Sequence, residues 1–355
     1  MASKLRLALL GCGDVAHRDY LPEFHRIADK SKIVAVCGRG IERAQMTADK
    51  YAIPHVYTDY ARMLAEIDAD AVVNLSPMQM HYKANLTILQ NGMHVYTEKT
   101  VATTAQQALH LQFEATARKL MMVCAPCIMV WPQIVLAKQL LDDGAIGEVH
   151  SARSLGLGGV PPWSGFTSDP SPFFAMGGGP QRDMGVYPLH ALTGLFGPAK
   201  RVTAMSTKAQ AEGFVIGDGP FEGKRVSMEE DDTWLMLLDH GNRVITTVEA
   251  NNSVQDTKAH QLELFGLRGT IALNLIDGSA PIQLLQNGKW REVPVPHARA
   301  SGPDHILGVA HLIDCLTHST QPTLSIEHAA HVIEIIDKAA IAAHTGQAQS
   351  IQQAF

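Results

Sequence analysis

Apolar residues in the first 125 positions follow two alternating patterns. Short apolar runs, typical of buried strands, cover residues 5–10, 33–37, 71–75, 94–97 and 121–125. The spacing of amphipathic helices covers residues 15–28, 42–51, 82–90 and 105–118. Strands separated by helices of about ten residues form right-handed crossovers around a parallel sheet. We therefore predict an α/β domain with a doubly wound parallel sheet over residues 1–124.

From residue 149 onwards the pattern is that of short strands. These predicted strands cover residues 149–155, 201–206, 234–238, 244–250, 261–265 and 270–275. The turns DHGNR and QNGK, rich in Asn and Gly, favour antiparallel hairpins. Helices are predicted over residues 189–196, 306–317 and 326–343. We expect a second, α+β domain over residues 125–355, with a large, mainly antiparallel open sheet. Its two closing helices either stay with this domain or pack back on the first.

Two other stretches bear on the organisation of the chain. Residues 156–180 are rich in Gly, Pro and Ser and are predicted as a long loop, which is usually functional or disordered. Residues 120–137 carry no charged side chain and are long enough to suggest a transmembrane helix. Pro126 and Pro132 would break such a helix. We therefore predict a strand, a turn and a helix that begins near Pro132, with no membrane association.

Composition narrows the class of protein. The 355 residues are 46% hydrophobic and 18% charged, enough for a full core and unlike a disordered chain. The chain has 29 basic and 35 acidic residues, and its net charge of −6 disfavours a nucleic-acid partner. The five cysteines are scattered and suggest no disulfide framework. Because the first apolar run of the chain is too short for a signal peptide, we expect a cytoplasmic protein.

The segment GCGDVA follows the first predicted strand and opens the first helix. Gly11 would allow a tight turn, and Gly13 would let the backbone approach a pyrophosphate. Ala16 is small enough for close packing of helix and strand, while Asp14 and Val15 lie at the helix N-terminus that faces the phosphates. This context favours dinucleotide binding over a simple glycine turn.

The end of the second strand bears on the choice of cofactor. A carboxylate there would hold the ribose 2′-hydroxyl of NAD. This chain instead has Gly38 and Arg39, with Arg43 one helical turn further on. Arginine binds phosphate with a full charge and two hydrogen bonds, so we predict NADP. The alternative is a solvated arginine beside an NAD site.

Two segments carry candidate chemistry. HVYTEKT places Glu98 and Lys99 at the carboxyl end of a parallel strand, where open α/β sheets bind ligands. GGGPQRDMGVYPLH is a glycine-rich entry to a helix that presents Asp183, Tyr187 and His190. Asp183 and Tyr187 are four residues apart and would share one helical face if the helix has begun there.

Together these segments resemble the glucose–fructose oxidoreductase/inositol dehydrogenase/MocA (Gfo/Idh/MocA) family. The resemblance rests on GCGDVA, SPMQMH, TEK, the GGG and DMGVY segments and the closing pair of helices. It implies a Rossmann domain, and a second domain whose open sheet carries the substrate cleft and often the subunit interface of a dimer or tetramer. The implied reaction is reversible hydride transfer between a nicotinamide and a carbinol carbon of a sugar or cyclitol.

Residue by residue, the resemblance implies roles. Lys99 matches the lysine of the family's Glu-Lys-Pro motif, although Thr100 replaces the proline and leaves the backbone less constrained. Asp183 matches the substrate-orienting aspartate, and Tyr187 stands where many members have histidine. Members related to glucose–fructose oxidoreductase and dihydrodiol dehydrogenase have tyrosine there and prefer NADP. Cys127 stands where many members have an arginine near the cofactor, which puts some cofactor contacts in doubt.

Alcohol oxidation needs a proton acceptor, and reduction needs a donor. An isolated tyrosine, with a pKa of about 10, is a poor base at neutral pH. A nearby ammonium favours the phenolate, so we interpret Tyr187 as proton donor and acceptor and Lys99 as its electrostatic partner. The reverse assignment stays open, as does a buried tyrosine and a solvated lysine without chemistry. Asp183 would accept from a neighbouring substrate hydroxyl or hold Lys99.

Other residues are weaker candidates. Ser76, Pro77 and His81 lie on a predicted cofactor-facing loop. His190 reaches the substrate or packs its helix, and Trp163 covers a sugar face or anchors the long loop. We predict no metal site, because the spacing of histidines completes no ligand pattern. Two other functions stay open: a redox-neutral sugar-modifying enzyme with bound cofactor (glycoside cleavage or epimerisation), and a non-catalytic nucleotide-binding sensor or corepressor.

Overall fold

A parallel sheet forms the centre of the N-terminal part of the chain. The computed structural model describes residues 4–163, 165–217, 219–299 and 302–355. Within them the parallel sheet has six strands in the order β3-β2-β1-β4-β5-β6. They are β1 (Leu5–Leu10), β2 (Ser31–Cys37), β3 (His55–Tyr57), β4 (Ala71–Asn74), β5 (His94–Thr97) and β6 (Met122–Cys124). The strand order reverses between β1 and β4, the point at which doubly wound sheets bind ligands. The predicted α/β fold is confirmed.

The helices of this sheet follow the predicted alternation, with one difference. They are α1 (Ile41–Tyr51), α2 (Tyr60–Glu66), α3 (Met78–Gln90) and α4 (Ala105–Arg118). The helical stretch predicted from Val15 towards Ala28 is present as a π-helical turn, Ala16–Tyr20, that continues into a 3-10 helix, Leu21–Ile27. Pro22 at its start lacks an amide donor, which interrupts α-helical hydrogen bonding.

The second sheet has nine strands in the described part of the chain, in the order β16-β15-β14-β13-β7-β12-β11-β8-β17. They are β7 (Val149–Leu157), β8 (Arg201–Thr207), β11 (Thr233–Asp239), β12 (Ile245–Asn251), β13 (Leu262–Gly266), β14 (Gly269–Leu273), β15 (Ile282–Gln286), β16 (Lys289–Val293) and β17 (Gln349–Ser350). The remaining strands, β9 (Phe214–Val215) and β10 (Arg225–Val226), pair with each other. The β7–β12 pair is parallel and its neighbours are antiparallel, which confirms the predicted sheet type.

The chain divides into two compact units. The first unit extends to Cys127 and also contains His305–Ala329, and the second contains Ile128–Asp304 and Ala330–Phe355. The predicted domain boundary at residues 124 and 125 lies close to Cys127. The remaining helices are α5 (Pro132–Asp142), α6 (Pro180–Asp183), α7 (Val186–Phe196), α8 (Ile306–His318) and α9 (Ile326–Thr345).

Close packing in the first unit depends on Gly308 of α8. A Cβ at Gly308 would collide with the hydroxyl of Tyr96, so glycine allows α8 to lie against β5. The uncharged stretch contains β6, a 3-10 turn at Cys127–Val130 and then α5, which begins at Pro132 as predicted. Across the described ranges, no helix is long and apolar enough to cross a membrane.

The two faces of the second sheet differ. On one face, α6 and α7 approach the backbone closely: a Cβ at Gly156 would lie 2.7 Å from the Met184 carbonyl oxygen. On the other face Met205 lies directly opposite Leu235. Both are exposed, Met205 by 78% and Leu235 by 54%. Leu237 and Ile245 lie on the same face and are also exposed.

Candidate functional site

The glycine turn lies at the crevice of the parallel sheet. The Gly11 amide donates to the carbonyl of Cys37 at the end of β2, at 2.9 Å. Its φ is +101°, and a Cβ there would lie 2.6 Å from the Leu75 carbonyl oxygen, just beyond β4. Only glycine fits this position. Gly13, Asp14 and Val15 follow at the start of the helical turn, and Ala16 is fully buried. This geometry suits a dinucleotide pyrophosphate.

The end of β2 offers positive charge and no carboxylate. A Cβ at Gly38 would collide with Cys12 Sγ, so an acidic side chain does not fit here unless Cys12 moves. Arg39 is exposed beside this turn. Arg43 lies with a guanidinium nitrogen 3.5 Å from a carboxylate oxygen of Asp14. The two arginines therefore place positive charge near the glycine turn, and Asp14 partly offsets that of Arg43.

The loop after β4 is held together by Asn74 and His81. Asn74 Oδ1 accepts hydrogen bonds from the Ser76 amide at 3.1 Å and from the Ser76 hydroxyl at 2.7 Å. His81 is 1% exposed, and its ring nitrogens lie 2.7 Å from the Ser76 carbonyl oxygen and 2.6 Å from that of Thr100. Burial lowers the pKa of His81. The imidazole thus lies between the Ser76–Pro77 turn and the residue after Lys99, and with one ring N–H it donates to one of the two carbonyl oxygens.

Glu98 and Lys99 lie at the carboxyl end of β5, as predicted. The Glu98 amide donates to the Asn74 carbonyl at 2.9 Å, which places Lys99 next to the β4 loop. Lys99 is half-buried, and its peptide bond to Thr100 is cis. The Glu98 carboxylate is buried and accepts hydrogen bonds from the Tyr20 hydroxyl at 2.5 Å and from the Lys99 amide at 2.9 Å. The sequence pattern had not singled out Tyr20.

In the second unit, Asp183 and Tyr187 lie on two short helices. Asp183 ends α6 and Tyr187 lies in the first turn of α7, so the common helical face predicted for them does not form. Gly185, which precedes the first residue of α7, lies close to β12, since a Cβ there would lie 2.7 Å from the Cβ of Ala250. Asp183 and Tyr187 are buried, and the Tyr187 ring stacks on Trp131 with centroids 5.9 Å apart.

His190 and Trp163 have protein neighbours of their own. His190 is 4% exposed, and its Nδ1 lies 2.8 Å from the carbonyl oxygen of Val186 in the same helix. Burial lowers the pKa of His190 to about 4, which keeps the ring neutral. Trp163 donates from its indole N–H to the Gly158 carbonyl, and its ring packs edge-on against Phe173 at 5.2 Å. These contacts agree with packing and loop-anchoring roles.

Near α6 lie buried polar atoms that have no partner within the described residues. They are Gln181 Oε1, Arg182 Nε and both side-chain amide atoms of Asn252. Asn252 directly follows β12, and its backbone N–H donates to the Asp232 carbonyl at 3.0 Å. Since an unpaired buried polar group is costly, these atoms mark a place suited to a polar ligand. The two asparagines after a strand were the one sequence signal for Asn252.

Among the described residues, no group of three or more His, Cys, Asp or Glu side chains could hold a metal ion. The cysteines are buried and free of disulfides, and burial raises the pKa of Cys124 well above 9. A protonated thiol is a poor nucleophile.

The doubly wound parallel sheet and the glycine turn of the first unit are those of a Rossmann fold. Sequence comparison agrees: residues 5–125 match the oxidoreductase family with an NAD-binding Rossmann fold, and residues 134–272 match the GFO/IDH/MocA C-terminal domain. The chain belongs to the Gfo/Idh/MocA family, which confirms the resemblance predicted from its motifs.

Two of the relatives carry the names of enzymes that act on sugars. The chain is 35% identical over 213 residues to D-glucoside 3-dehydrogenase of Escherichia coli (strain K12), covering 58% of each protein. It is 30% identical over 201 residues to dTDP-3,4-didehydro-2,6-dideoxy-alpha-D-glucose 3-reductase of Actinomadura kijaniata, covering 55% of this chain and 57% of that one. These matches span little more than half the length of either relative.

Solved structures share the fold over the whole length. The crystal structure of aldose-aldose oxidoreductase from Caulobacter crescentus, complexed with glycerol, matches with a TM-score of 0.82. The match covers 98% of this chain and 100% of that one at 20% identity. At this identity the likeness concerns the fold alone.

Proposed function

We propose that the protein is an NADP-dependent oxidoreductase that transfers hydride between the nicotinamide and a secondary alcohol or ketone of a sugar or cyclitol. One observation carries the proposal: the glycine turn and Lys99 lie at the same edge of one sheet. Gly11 packs on the carbonyl of Leu75, and the preceding residue, Asn74, accepts a hydrogen bond from the Glu98 amide. The glycine turn, where the cofactor would bind, and the strand end that carries Lys99 therefore both contact the end of β4.

The preference for NADP rests on the end of β2. Gly38 leaves no carboxylate to repel a 2′-phosphate, and Arg39 and Arg43 supply guanidinium groups beside the turn. Asp14 partly neutralises Arg43, so Arg39 is the stronger candidate for the phosphate. NAD is the alternative cofactor, and a comparison of kcat/KM for the two distinguishes them.

The substrate class follows from the relatives and from the second unit. Both named relatives act at the 3-position of a hexose, so we expect the reacting carbon to be C3 of a hexose or its derivative. A sugar hydroxyl both donates and accepts hydrogen bonds, as the amide of Asn252 does. Asn252 and Gln181, which have polar atoms without partners within the described residues, are therefore suited to a polyhydroxylated ligand.

The reacting groups have distinct proposed roles. The nicotinamide, when bound, gives or takes the hydride. Tyr187 Oη accepts the proton of the carbinol during oxidation and returns it during reduction. The Lys99 ammonium lowers the energy of the negative charge that develops on oxygen, and Asp183 accepts a hydrogen bond from a neighbouring substrate hydroxyl. In the reverse assignment, Lys99 exchanges the proton and Tyr187 holds the substrate oxygen.

The test is nicotinamide absorbance with a panel of sugars, ketosugars and cyclitols, offered with NADP(H) and NAD(H). We expect turnover with at least one hexose derivative and its loss in Lys99→Ala. Lys83→Ala, which removes an exposed lysine of α3, is the matched control and keeps full activity. Full activity in Lys99→Ala would contradict the assigned site. Substrate consumption without net change in NADPH would instead identify a redox-neutral reaction.

The exposed face of the second sheet supports a homo-oligomer. Met205, Leu235, Leu237 and Ile245 form an apolar patch on that face, and large exposed apolar patches mark interaction sites. We expect a second copy of the chain to cover this patch in a dimer or tetramer.

A further inference from the structure

A buried carboxylate links Lys99 to a side chain far away in sequence. Glu98 is 7% exposed, and its two carboxylate oxygens have different donors. Oε1 accepts from the Tyr20 hydroxyl at 2.5 Å, and Oε2 accepts from the backbone N–H of Lys99 at 2.9 Å. A buried carboxylate depends on such donors, because the interior does not solvate its charge. One oxygen of the Glu98 carboxylate is therefore hydrogen-bonded to the Tyr20 hydroxyl, and the other is hydrogen-bonded to the backbone amide of Lys99.

The Tyr20 side chain is buried and contacts two neighbouring side chains. Its side chain is 3% exposed, its hydroxyl lies 2.9 Å from that of Tyr96, and its ring stacks on His305 with centroids 5.9 Å apart. Burial and the nearby Glu98 hold the pKa of the Tyr20 phenol well above 10, so it keeps its proton and donates. Tyr20 also ends the π-helical turn that follows the glycine turn. One side chain thus connects the dinucleotide turn to the strand end that carries Lys99.

We propose that Tyr20 is a positioning residue for Lys99 and acts through the Glu98 carboxylate. The inference rests on the proposed role of Lys99 at the reacting oxygen. Without the Tyr20 hydroxyl, Oε1 loses its short donor, and the His305 imidazole, with Nδ1 4.0 Å from the same oxygen, offers it another contact. A carboxylate that turns towards His305 releases the Lys99 amide. Displacing a reacting group by about 1 Å can cost about a hundredfold in rate.

A purely structural role predicts a different outcome. Tyr20→Phe keeps the ring that stacks on His305 and removes the hydroxyl alone. If Tyr20 only packs, this variant lowers the melting temperature and leaves kcat unchanged. If Tyr20 positions Lys99, kcat falls about tenfold or more, the effect of losing a hydrogen bond to a charged group, while KM for the sugar and Kd for NADPH stay within about twofold.

Tyr82→Phe is the matched control. It removes another tyrosine hydroxyl of the same unit, which lies 2.8 Å from His110 Nδ1 between α3 and α4. We expect its kcat to equal that of the unchanged protein. A readout that needs no substrate is the rate at which an acylating reagent modifies Lys99, measured by peptide mass spectrometry relative to Lys83. We expect faster modification in Tyr20→Phe, because the released lysine is more accessible, and no change in Tyr82→Phe.

A double-mutant cycle tests the route through Glu98. Glu98→Gln should lower kcat by itself, and adding Tyr20→Phe should lower it by no more than about a further twofold. Should Tyr20→Phe fail to fold, Glu98→Gln with the acylation readout tests the same contact. Independent, multiplicative losses, or an unchanged kcat in Tyr20→Phe while Lys99→Ala abolishes turnover, would overturn the positioning role alone. An active Lys99→Ala would overturn the proposed function instead.

Discussion

Lowering the pH from 8 to 5 should destabilise the protein through buried histidines of the second unit. His190 is 4% exposed and His331 is fully buried. The His331 ring accepts a hydrogen bond from the Ala199 amide at 3.1 Å, and its other nitrogen lies 2.9 Å from the Gln353 carbonyl oxygen. Burial lowers the pKa of each imidazole from 6.5 to about 4. Both are therefore neutral in the folded protein at pH 5.

The sign and size of the effect follow from linkage. The unfolded chain binds a proton at each histidine near pH 6.5, and the folded chain does so only near pH 4. The stabilisation is fully present above pH 6.5 and is lost as the pH falls from 6.5 to 4. At about 1.4 kcal/mol per pKa unit, one histidine destabilises the fold by about 2 kcal/mol at pH 5 and by roughly 3 kcal/mol below pH 4. That is a large part of the stability of an ordinary domain.

The assay is urea unfolding between pH 5 and 8 for the unchanged protein and for His190→Gln. Because glutamine does not titrate, we expect the free energy of unfolding to fall by about 2 kcal/mol less in the variant over this range. His344→Gln, which replaces an exposed histidine of α9, is the control and should follow the unchanged protein. Parallel curves for all three proteins would refute the buried, neutral state of His190. They would favour its alternative role at the substrate.

Three further predictions concern the cofactor, the chemistry and assembly. Arg39→Ala should lower kcat/KM with NADP about tenfold and leave kcat/KM with NAD nearly unchanged, because only the 2′-phosphate loses a partner. Equal losses of kcat/KM with the two cofactors would show that Arg39 does not bind the 2′-phosphate. Tyr187→Phe should lower kcat by about 10²–10⁴ with little change in KM, measured by nicotinamide absorbance; an unchanged kcat would favour the reverse assignment. Leu235→Glu should shift the protein to smaller species in analytical ultracentrifugation, whereas Leu267→Glu, at an exposed turn, should not. An unchanged size in both would exclude the exposed sheet face as the interface.

Local patterns were enough to predict most of the fold. The strand at His94–Thr97 and the helix at Ala105–Arg118 have the predicted bounds, because each has a periodic pattern and clear turn residues around it. The pattern missed β3 and α2, which are short and carry little periodicity. The pattern predicts a helical stretch at Tyr20 but not its π-helical hydrogen bonding, because that depends on packing as well as on propensity.

Site geometry was less predictable for a physical reason. A motif fixes residue types and local spacing, so Gly11 and Lys99 could be placed at strand ends from the sequence. The partner of Glu98 is Tyr20, 78 residues away, and nothing in a local pattern selects it. Asp183 and Tyr187 had the spacing of one helical face, but they lie on two separate short helices, with Gly185 between them close to Ala250. Neither outcome follows from local residue spacing.

Three buried polar side chains at the strand ends of the first unit have partners within the protein, whereas two in the second unit have atoms without one, and this difference suggests distinct roles within the proposed enzyme. In the first unit, Asn74, His81 and Glu98 all have hydrogen-bond partners, so the protein itself holds the strand end that carries Lys99. In the second unit, the amide of Asn252 and Gln181 Oε1 have none within the described residues. Polar groups that have partners within the protein keep one geometry for every substrate. Polar groups without such partners gain them only from a ligand. Changes at Asn252 should therefore alter which sugar is accepted more than they alter the chemistry at Lys99.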